Sequence, residues 1–240
     1  MTVALITGAN RGLGLETARQ LFVKVPGIKV ILASRDVGKV EAAVAAFQKQ
    51  GFAASAVQLE VTDAASIKAA AAVVEKAHGV LDILINNAGV GGKAQSPLDV
   101  TAEELRQTYE VNVIGVIAVT QAFLPLLRKS EAGRIVNLSS ILGSLSEHSD
   151  PNSFIYAWTP TAYDASKAAL NMVTVELARV LRDTKIKVNS AHPGWVKTDM
   201  GGENAPLELA DGVATTLELA LLPANGPSGG FFHVGVHLRW

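Results

Sequence analysis

Val3-Ala4-Leu5-Ile6-Thr7-Gly8-Ala9-Asn10-Arg11-Gly12-Leu13-Gly14 is the stretch that decides the fold. Residues 3–7 make a short apolar run ending at a glycine, the pattern of a strand buried on both faces. Beyond the turn, Leu15, Ala18, Leu21 and Phe22 recur at helical spacing. The order is strand, glycine turn, helix. Glycines let the backbone bend sharply and approach a ligand closely, and a helix N-terminus offers unpaired N–H groups to a pyrophosphate. The spacing is G-x-x-x-G-x-G rather than G-x-G-x-x-G, and no Gly-Lys-Ser/Thr closes it. A tight βα turn without a ligand is the alternative for this segment taken alone.

Working outward, the next apolar run, 28–33, ends in Ser34-Arg35-Asp36. In a dinucleotide fold an acidic residue here would take the adenosine ribose and favour NAD. Arg35, with Arg11 in the glycine turn, could instead converge on a 2′-phosphate, for which the guanidinium fork is suited. That favours NADP, while a one-residue shift of register would bring Asp36 to the ribose. A helix over 40–50, a strand over 53–61 ending in Glu60-Val61-Thr62-Asp63, a helix over 64–78 and a strand over 81–85 follow. The last opens into Asn86-Asn87-Ala88-Gly89. This alternation predicts a doubly wound parallel sheet, which binds ligands at the carboxyl ends of its strands. Thr101 is placed to cap a long helix reaching about residue 128. Asn112 lies in its apolar middle, where an amide must be satisfied if buried. A strand over 134–138 then ends in Ser139-Ser140.

Thr161-Ala162-Tyr163-Asp164-Ala165-Ser166-Lys167 opens an unbroken helical pattern. Tyr163 and Lys167 stand one turn apart on one face. A phenol with its ordinary pKa of about 10 is a weak acid at neutral pH, and a neighbouring ammonium favours its ionised form. The pair is therefore suited to passing a proton to or from a carbonyl oxygen.

Composition narrows the function classes. The chain has 240 residues, 49% hydrophobic and 18% charged, enough for one sizeable core. Its formal net charge is −1, with no run of like charges, so nucleic-acid and membrane-surface binding have no electrostatic support. The absence of cysteine removes disulfides, thiolate ligands and a cysteine nucleophile together. The histidines (78, 148, 192, 233, 237) form no H-x-x-x-H pair, and no metal is expected. His192, before Pro193, reads as a packed or loop residue. The first residues lack a signal-peptide pattern, and the apolar runs stop short of a membrane span, so a soluble cytoplasmic protein is expected.

T-G-x-x-x-G-x-G at 7–14, N-N-A-G at 86–89, Asn112, Ser139-Ser140, Y-x-x-x-K at 163–167 and Pro193-Gly194 occur in one order. Together they closely resemble the short-chain dehydrogenase/reductase family over essentially the whole chain. The resemblance implies a single Rossmann-type α/β domain over 1–240, with about seven parallel strands and helices on both faces. It also implies a tetrad. Ser140 would hold the substrate carbonyl, Tyr163 would protonate it, Lys167 would lower the phenol's pKa and hold the nicotinamide ribose, and Asn112 would anchor a proton-relaying water. Cofactor contacts would come from Gly8, Asn10, Arg11, Gly12, Leu13 and Gly14 in the turn and from Arg35 after the second strand. Glu60, standing where the family more often has Asp, and Val61 would flank the adenine side with Asn87. Ala88 and Gly89 follow, and Pro193, Gly194, Val196 and Thr198 would join Tyr163 and Lys167 around the nicotinamide. The P-G-W-V-x-T-D-M string at 193–200, Gly229-Gly230-Phe231-Phe232 and Trp240 look most like the carbonyl reductase branch, which reduces aldehydes and ketones with NADPH.

Tyr163 follows Ser140 by 23 positions, a longer interval than most members have. This insertion, about 147–160, is expected to lend Tyr156 or Trp158 to a substrate wall, the alternative being a surface loop that packs its own aromatics. In the family such insertions accompany monomers, and a monomer or homodimer is expected. Residues 199–206 would form a short substrate lid, followed by a helix over 207–222 and a last strand over 231–234. Two competing readings stay open: an NAD-preferring alcohol dehydrogenase, and an NADP(H)-binding redox sensor without turnover.

Overall fold

The computed structural model describes residues 1–93 and 95–240. One eight-stranded sheet organises it, in the order β3-β2-β1-β4-β5-β6-β7-β8. Its strands are β1 (Val3–Thr7), β2 (Lys29–Ser34), β3 (Ala53–Gln58), β4 (Ile83–Asn86), β5 (Arg134–Leu138), β6 (Lys187–Ala191), β7 (Phe231–His233) and β8 (Val236–His237). The first seven run parallel. The chain winds outward from β1 to β3, then crosses back to lay β4 against the other side of β1. That reversal leaves a crevice at the carboxyl ends of β1 and β4, where open α/β sheets bind ligands.

Alternation along β1 sorts the core into two layers. Leu5 points to one side, with α3 (Ala64–His78), α5 (Gly115–Leu127) and the end of α7 (Thr161–Val180). Ala4 and Ile6 point to the other, with α1 (Gly12–Lys24), α2 (Val37–Gln48) and α9 (Ala214–Ala220). Fully buried side chains such as Leu5, Ile6 and Phe123 each contribute about 1.5–3 kcal/mol of apolar burial.

Several expectations are corrected. The strand expected over 53–61 stops at Gln58, because β2, its only partner among the described residues, ends with Ser34 opposite it. The helix expected from 101 to 128 starts as foreseen, with Thr101 Oγ1 accepting the Glu104 N–H as the cap of α4 (Ala102–Tyr109). It then loosens into a π turn, Glu110–Ile114, before α5. Gly115 follows that turn; a Cβ there would lie 2.7 Å from the Val61 carbonyl oxygen, so only glycine lets the segment after β3 come this close. Ala102–Leu127 together is long and apolar enough to cross a membrane by length and composition, contrary to the expectation that no run would be. Half of that window is buried, with Val119, Phe123, Leu126 and Leu127 in the core beside α3.

The helix expected over 207–222 is two helices, α8 (Leu209–Gly212) and α9. Leu207 is spent on a bridge to Val196, and the helical path turns at Val213. The extra strand β8 folds back antiparallel on β7 through Val234 (φ 43°) and Gly235 (φ 74°). A β-branched residue in the left-handed region is a poor turn signal, which is why the hairpin is not readable from sequence.

Candidate active site

The glycine turn and the start of β4's exit loop are stitched together. Asn87 Nδ2 donates to Thr7 O (2.8 Å) and Gly8 O (3.2 Å), while Thr7 Oγ1 accepts the N–H groups of Asn87 and Ala88, each at 3.0 Å. A Cβ on Gly14 would fall 2.6 Å from Asn87 Nδ2 and 2.7 Å from Gly8 O, so the close approach of α1 demands glycine. Gly12 (φ +55°) faces open space. Helices α2, α3 and α4 carry Asp36, Asp63 and Thr101 as side-chain caps, whereas α1 begins at Arg11 with no side-chain cap and no acid in its first turn. Its first N–H groups and the positive end of its dipole thus face a crevice floored by glycine, which fits an anionic pyrophosphate.

The two arginines are not disposed as expected. Arg11 pairs with Asp199, both well exposed, and so reaches across to the segment after Thr198 instead of toward Arg35. Arg35 is 81% exposed, with Glu60 4.0 Å away. Asp36 is committed elsewhere: it caps α2 by accepting the Lys39 N–H and pairs with the Lys39 ammonium at 3.1 Å. Asn10 Oδ1 accepts the Ser34 hydroxyl at 3.2 Å, fixing the turn to β2. Glu60 Oε1 accepts both the N–H and the O–H of Thr62.

The end of β5 separates its two serines by role. Ser139 is 2% exposed and donates to Asn171 Oδ1 at 2.7 Å. Ser140 faces α7, where its hydroxyl accepts the Leu142 N–H at 3.2 Å and is near enough to Tyr163 to favour the ionised phenol. The short 3-10 turn Ile141–Gly143 then packs against α7 so tightly that a Cβ on Gly143 would sit 2.7 Å from the Lys167 carbonyl carbon. Gly143, unremarked in the sequence, sets the distance between Ser140 and the helix bearing Tyr163.

Lys167 is 5% exposed; its Nζ donates to Leu138 O at 2.7 Å and lies 5.5 Å from the Tyr163 ring centroid. Burial pushes its pKa down to about 8. Burial pushes the Tyr163 phenol up to about 12, the Ser140 hydroxyl works the other way, and the charge of Asp164 adds to the rise. Ser140 favours ionisation of the phenol, and the Lys167 Nζ stands over the same ring. Asn112, fully buried in the π turn, donates to Val90 O (2.9 Å) and Ser166 Oγ (3.0 Å) and accepts the Val90 N–H (2.9 Å). A Cβ on Gly89 would be 3.2 Å from Asn112 Oδ1 and 3.7 Å from Lys167 Nζ, so these groups converge around a glycine. Ser166, also missed, closes the loop by donating to Tyr163 O at 2.7 Å.

Past β6, His192 Nδ1 accepts the N–H groups of Ile141 (3.2 Å) and Gly194 (3.4 Å), and burial holds its pKa down near 3, keeping it a neutral acceptor. Gly194 (φ +86°) leaves no room for a Cβ beside Leu207, and Val196 bridges that same residue. Thr198 Oγ1 accepts the Gly201 N–H at 2.9 Å, and Trp195 Nε1 donates to Gly201 O at 2.8 Å. Met200 lies against Gly91. The insertion folds as α6 (Leu145–Ser149) and a run of turns, and sets Trp158 edge-on to Trp195, ring centroids 6.1 Å apart. Tyr156 is half exposed and makes no such aromatic contact among the described residues.

Comparison with known proteins places this arrangement. A family model described as short chain dehydrogenase matches residues 2–208. Carbonyl reductase [NADPH] 1 of Sus scrofa is 34% identical over 268 aligned residues, covering 95% of this chain and 91% of that protein. (+)-Neomenthol dehydrogenase of Arabidopsis thaliana is 35% identical, covering 95% of each. Among solved structures, an NADPH-bound carbonyl reductase from chicken fatty liver superposes with a TM-score of 0.88 at 33% identity, covering 100% of this chain and 98% of that one.

Proposed function

The chain belongs to the short chain dehydrogenase family, and from that premise we propose that it reduces an aldehyde or ketone to an alcohol with NADPH. The observation carrying this reading is the convergence of Ser140, Tyr163 and Lys167 on one side of an uncapped, glycine-floored helix N-terminus. Relatives whose names specify NADPH-dependent carbonyl reduction support it along the full chain length.

The cofactor, when bound, supplies the hydride. The residues of the chain bind, orient and move a proton. The turn from Gly8 to Gly14 and the first N–H groups of α1 would hold the pyrophosphate. Arg35, largely exposed, would meet the 2′-phosphate, since Asp36 is already spent on α2. Arg11 would join it only by giving up Asp199. Glu60 and Val61 would flank the adenine, with Asn87, Ala88 and Gly89 lining the crevice. Pro193, Gly194, Val196 and Thr198 would border the nicotinamide.

At the carbonyl, the Ser140 hydroxyl would donate a hydrogen bond and Tyr163 would deliver the proton. With its pKa near 12 the phenol is protonated at neutral pH, as a donor to a nascent alkoxide must be, and an alkoxide is basic enough to take that proton. Lys167 spends one N–H on Leu138 O and keeps two for the nicotinamide ribose. Both N–H groups of Asn112 are used, so its part in a water relay would fall to its remaining acceptor capacity. Residues 199–206 would act as a short lid, and Trp158 with Trp195 would form an apolar substrate wall. A monomer or homodimer in the cytoplasm completes the reading.

The test is the loss of reduced-nicotinamide absorbance with NADPH or NADH against aldehydes, quinones, diketones and bulky ketones. Turnover with NADPH preferred is the expected result. Preference for NADH would favour the oxidative alcohol dehydrogenase reading, and tight NADPH binding without turnover would favour the sensor.

A further inference from the structure

The insertion brings an imidazole to the Tyr163 helix, and nothing in the proposed chemistry uses it. His148, on α6, places Nε2 3.0 Å from Leu142 O and 3.4 Å from Asp164 Oδ2. Leu142 donates its own N–H to Ser140 Oγ at 3.2 Å, and Asp164 is the residue after Tyr163. One ring nitrogen therefore spans the loop carrying Ser140 and the turn carrying Tyr163. Because a carbonyl oxygen only accepts, Nε2 carries the hydrogen, with the Asp164 carboxyl group alongside at 3.4 Å.

The imidazole is held in place from behind. Ser146 N–H donates to Trp240 O at 2.8 Å, Ser144 Oγ donates to Arg239 O at 2.9 Å, and Glu147 pairs with Arg239 at 3.2 Å. The insertion and the C-terminal residues thus form one unit that meets α7 through His148 and through Pro160 O, which accepts the N–H groups of Tyr163 (2.9 Å) and Asp164 (3.0 Å). Asp164 is the unusual member. Its side chain is 15% exposed, and its Oδ1 is buried without a partner among the described residues. A carboxylate in this setting has lost most of its water and gained one long N–H contact. Burial accordingly pushes its pKa up to about 7, and its charge in turn raises that of Tyr163.

We propose that His148 and Asp164 are a positioning pair for Tyr163. The imidazole ties the Ser140 loop to the Tyr163 turn, and the Asp164 carboxyl group seats the imidazole there and, when ionised, sets a negative charge on the residue next to the phenol. The role rests on the reading of Tyr163 as proton donor given above. The other ionisable groups nearby are already engaged: Lys167 with Leu138 O, Glu147 with Arg239, and Glu104 of α4 with the Lys93 N–H.

Asp164→Asn keeps the shape and removes the charge. Losing a negative neighbour lowers the phenol's pKa, so Tyr163 ionises at lower pH. In alcohol oxidation, where the phenolate is the base, the acid limb of the kcat profile moves down by about one pH unit, roughly a ten-fold gain at a fixed pH below the limb. His148→Ala lowers kcat for reduction several-fold with KM unchanged, and His148→Gln, which retains an N–H at similar reach, recovers most of it. NADPH affinity, measured for every variant, reports that the fold is kept.

A readout independent of turnover separates this inference from the functional one. The chain has three tyrosines. The ultraviolet change on phenol ionisation, recorded by rapid alkaline pH jump in wild type and in Tyr163→Phe, isolates Tyr163 by difference. The same pair of records in the Asp164→Asn background is expected to show ionisation at lower pH, even if no carbonyl is turned over. An unmoved Tyr163 titration overturns the proposal, as does His148→Gln behaving no better than His148→Ala.

Discussion

Across β4, β5, β6 and α7 the polar groups form a buried chain. Asn86 Nδ2 donates to Thr120 and Asn137, Asn137 donates to Thr174, and Ser190 donates to Thr174, at 2.8–3.1 Å. None of these five side chains is more than 3% exposed. Around the mouth of the crevice the contacts are instead between exposed side chains: Arg11 with Asp199, Trp158 with Trp195, and Met200 on Gly91. The difference is energetic as well as geometric. A buried hydrogen bond left half-made costs the desolvation of the orphaned group, while an exposed ion pair exchanges one solvated state for another. The floor is therefore rigid and intolerant of change, and the rim is free to vary with the ligand it meets.

The floor should break first. Asn137→Leu leaves one N–H of Asn86 and one acceptor site on Thr174 without a partner. The expected loss is about 2–4 kcal/mol, read as a fall in Tm of roughly 5–15 °C. A loss below about 0.5 kcal/mol would mean the chain of side chains is no more demanding than the surface.

At the rim, Trp158→Ala should leave Tm within about 2 °C while KM for a bulky aromatic carbonyl rises several-fold. Combined with Trp195→Ala in a double-mutant cycle, the edge-on contact should register as about 0.5–1.5 kcal/mol. Additive single effects would show that the two indoles act separately. Smallest of all, Asp199→Asn should change NADPH affinity by less than about 1 kcal/mol, with the difference vanishing at high salt. Tighter binding at low salt would sharpen the contrast further, because it would show Asp199 competing with the cofactor for Arg11.

The same division governs what the sequence reveals. The strand, turn and helix from Val3 to Lys24, the helix Ala64–His78, the strand Arg134–Leu138 and the Thr101 cap follow from local patterns, since periodicity and capping act over a few residues. A doubly wound parallel sheet follows from the alternation of such units, and the family resemblance implies about seven strands. The eighth does not, because Val234 occupies a conformation its residue type disfavours.

The candidate tetrad is marked by residue types and order, but its support is not. Gly115 and Gly143 matter only because Val61 O and the Lys167 backbone approach them in space. The pairing of Arg11 with Asp199, 188 positions away, overrode the expected convergence with Arg35 for the same reason. His148 is an unremarkable loop histidine until α6 folds over Asp164. Side chains that act through distant partners leave no periodic trace.

The most direct measurement is on Tyr163→Phe, which removes a single oxygen from the floor-to-substrate path. NADPH affinity within about two-fold of wild type, together with a fall in kcat for carbonyl reduction of about 10²–10⁴-fold, is the expected result for a residue whose task is the proton. A variant that keeps most of its kcat would contradict it, and would move the proton's source away from α7.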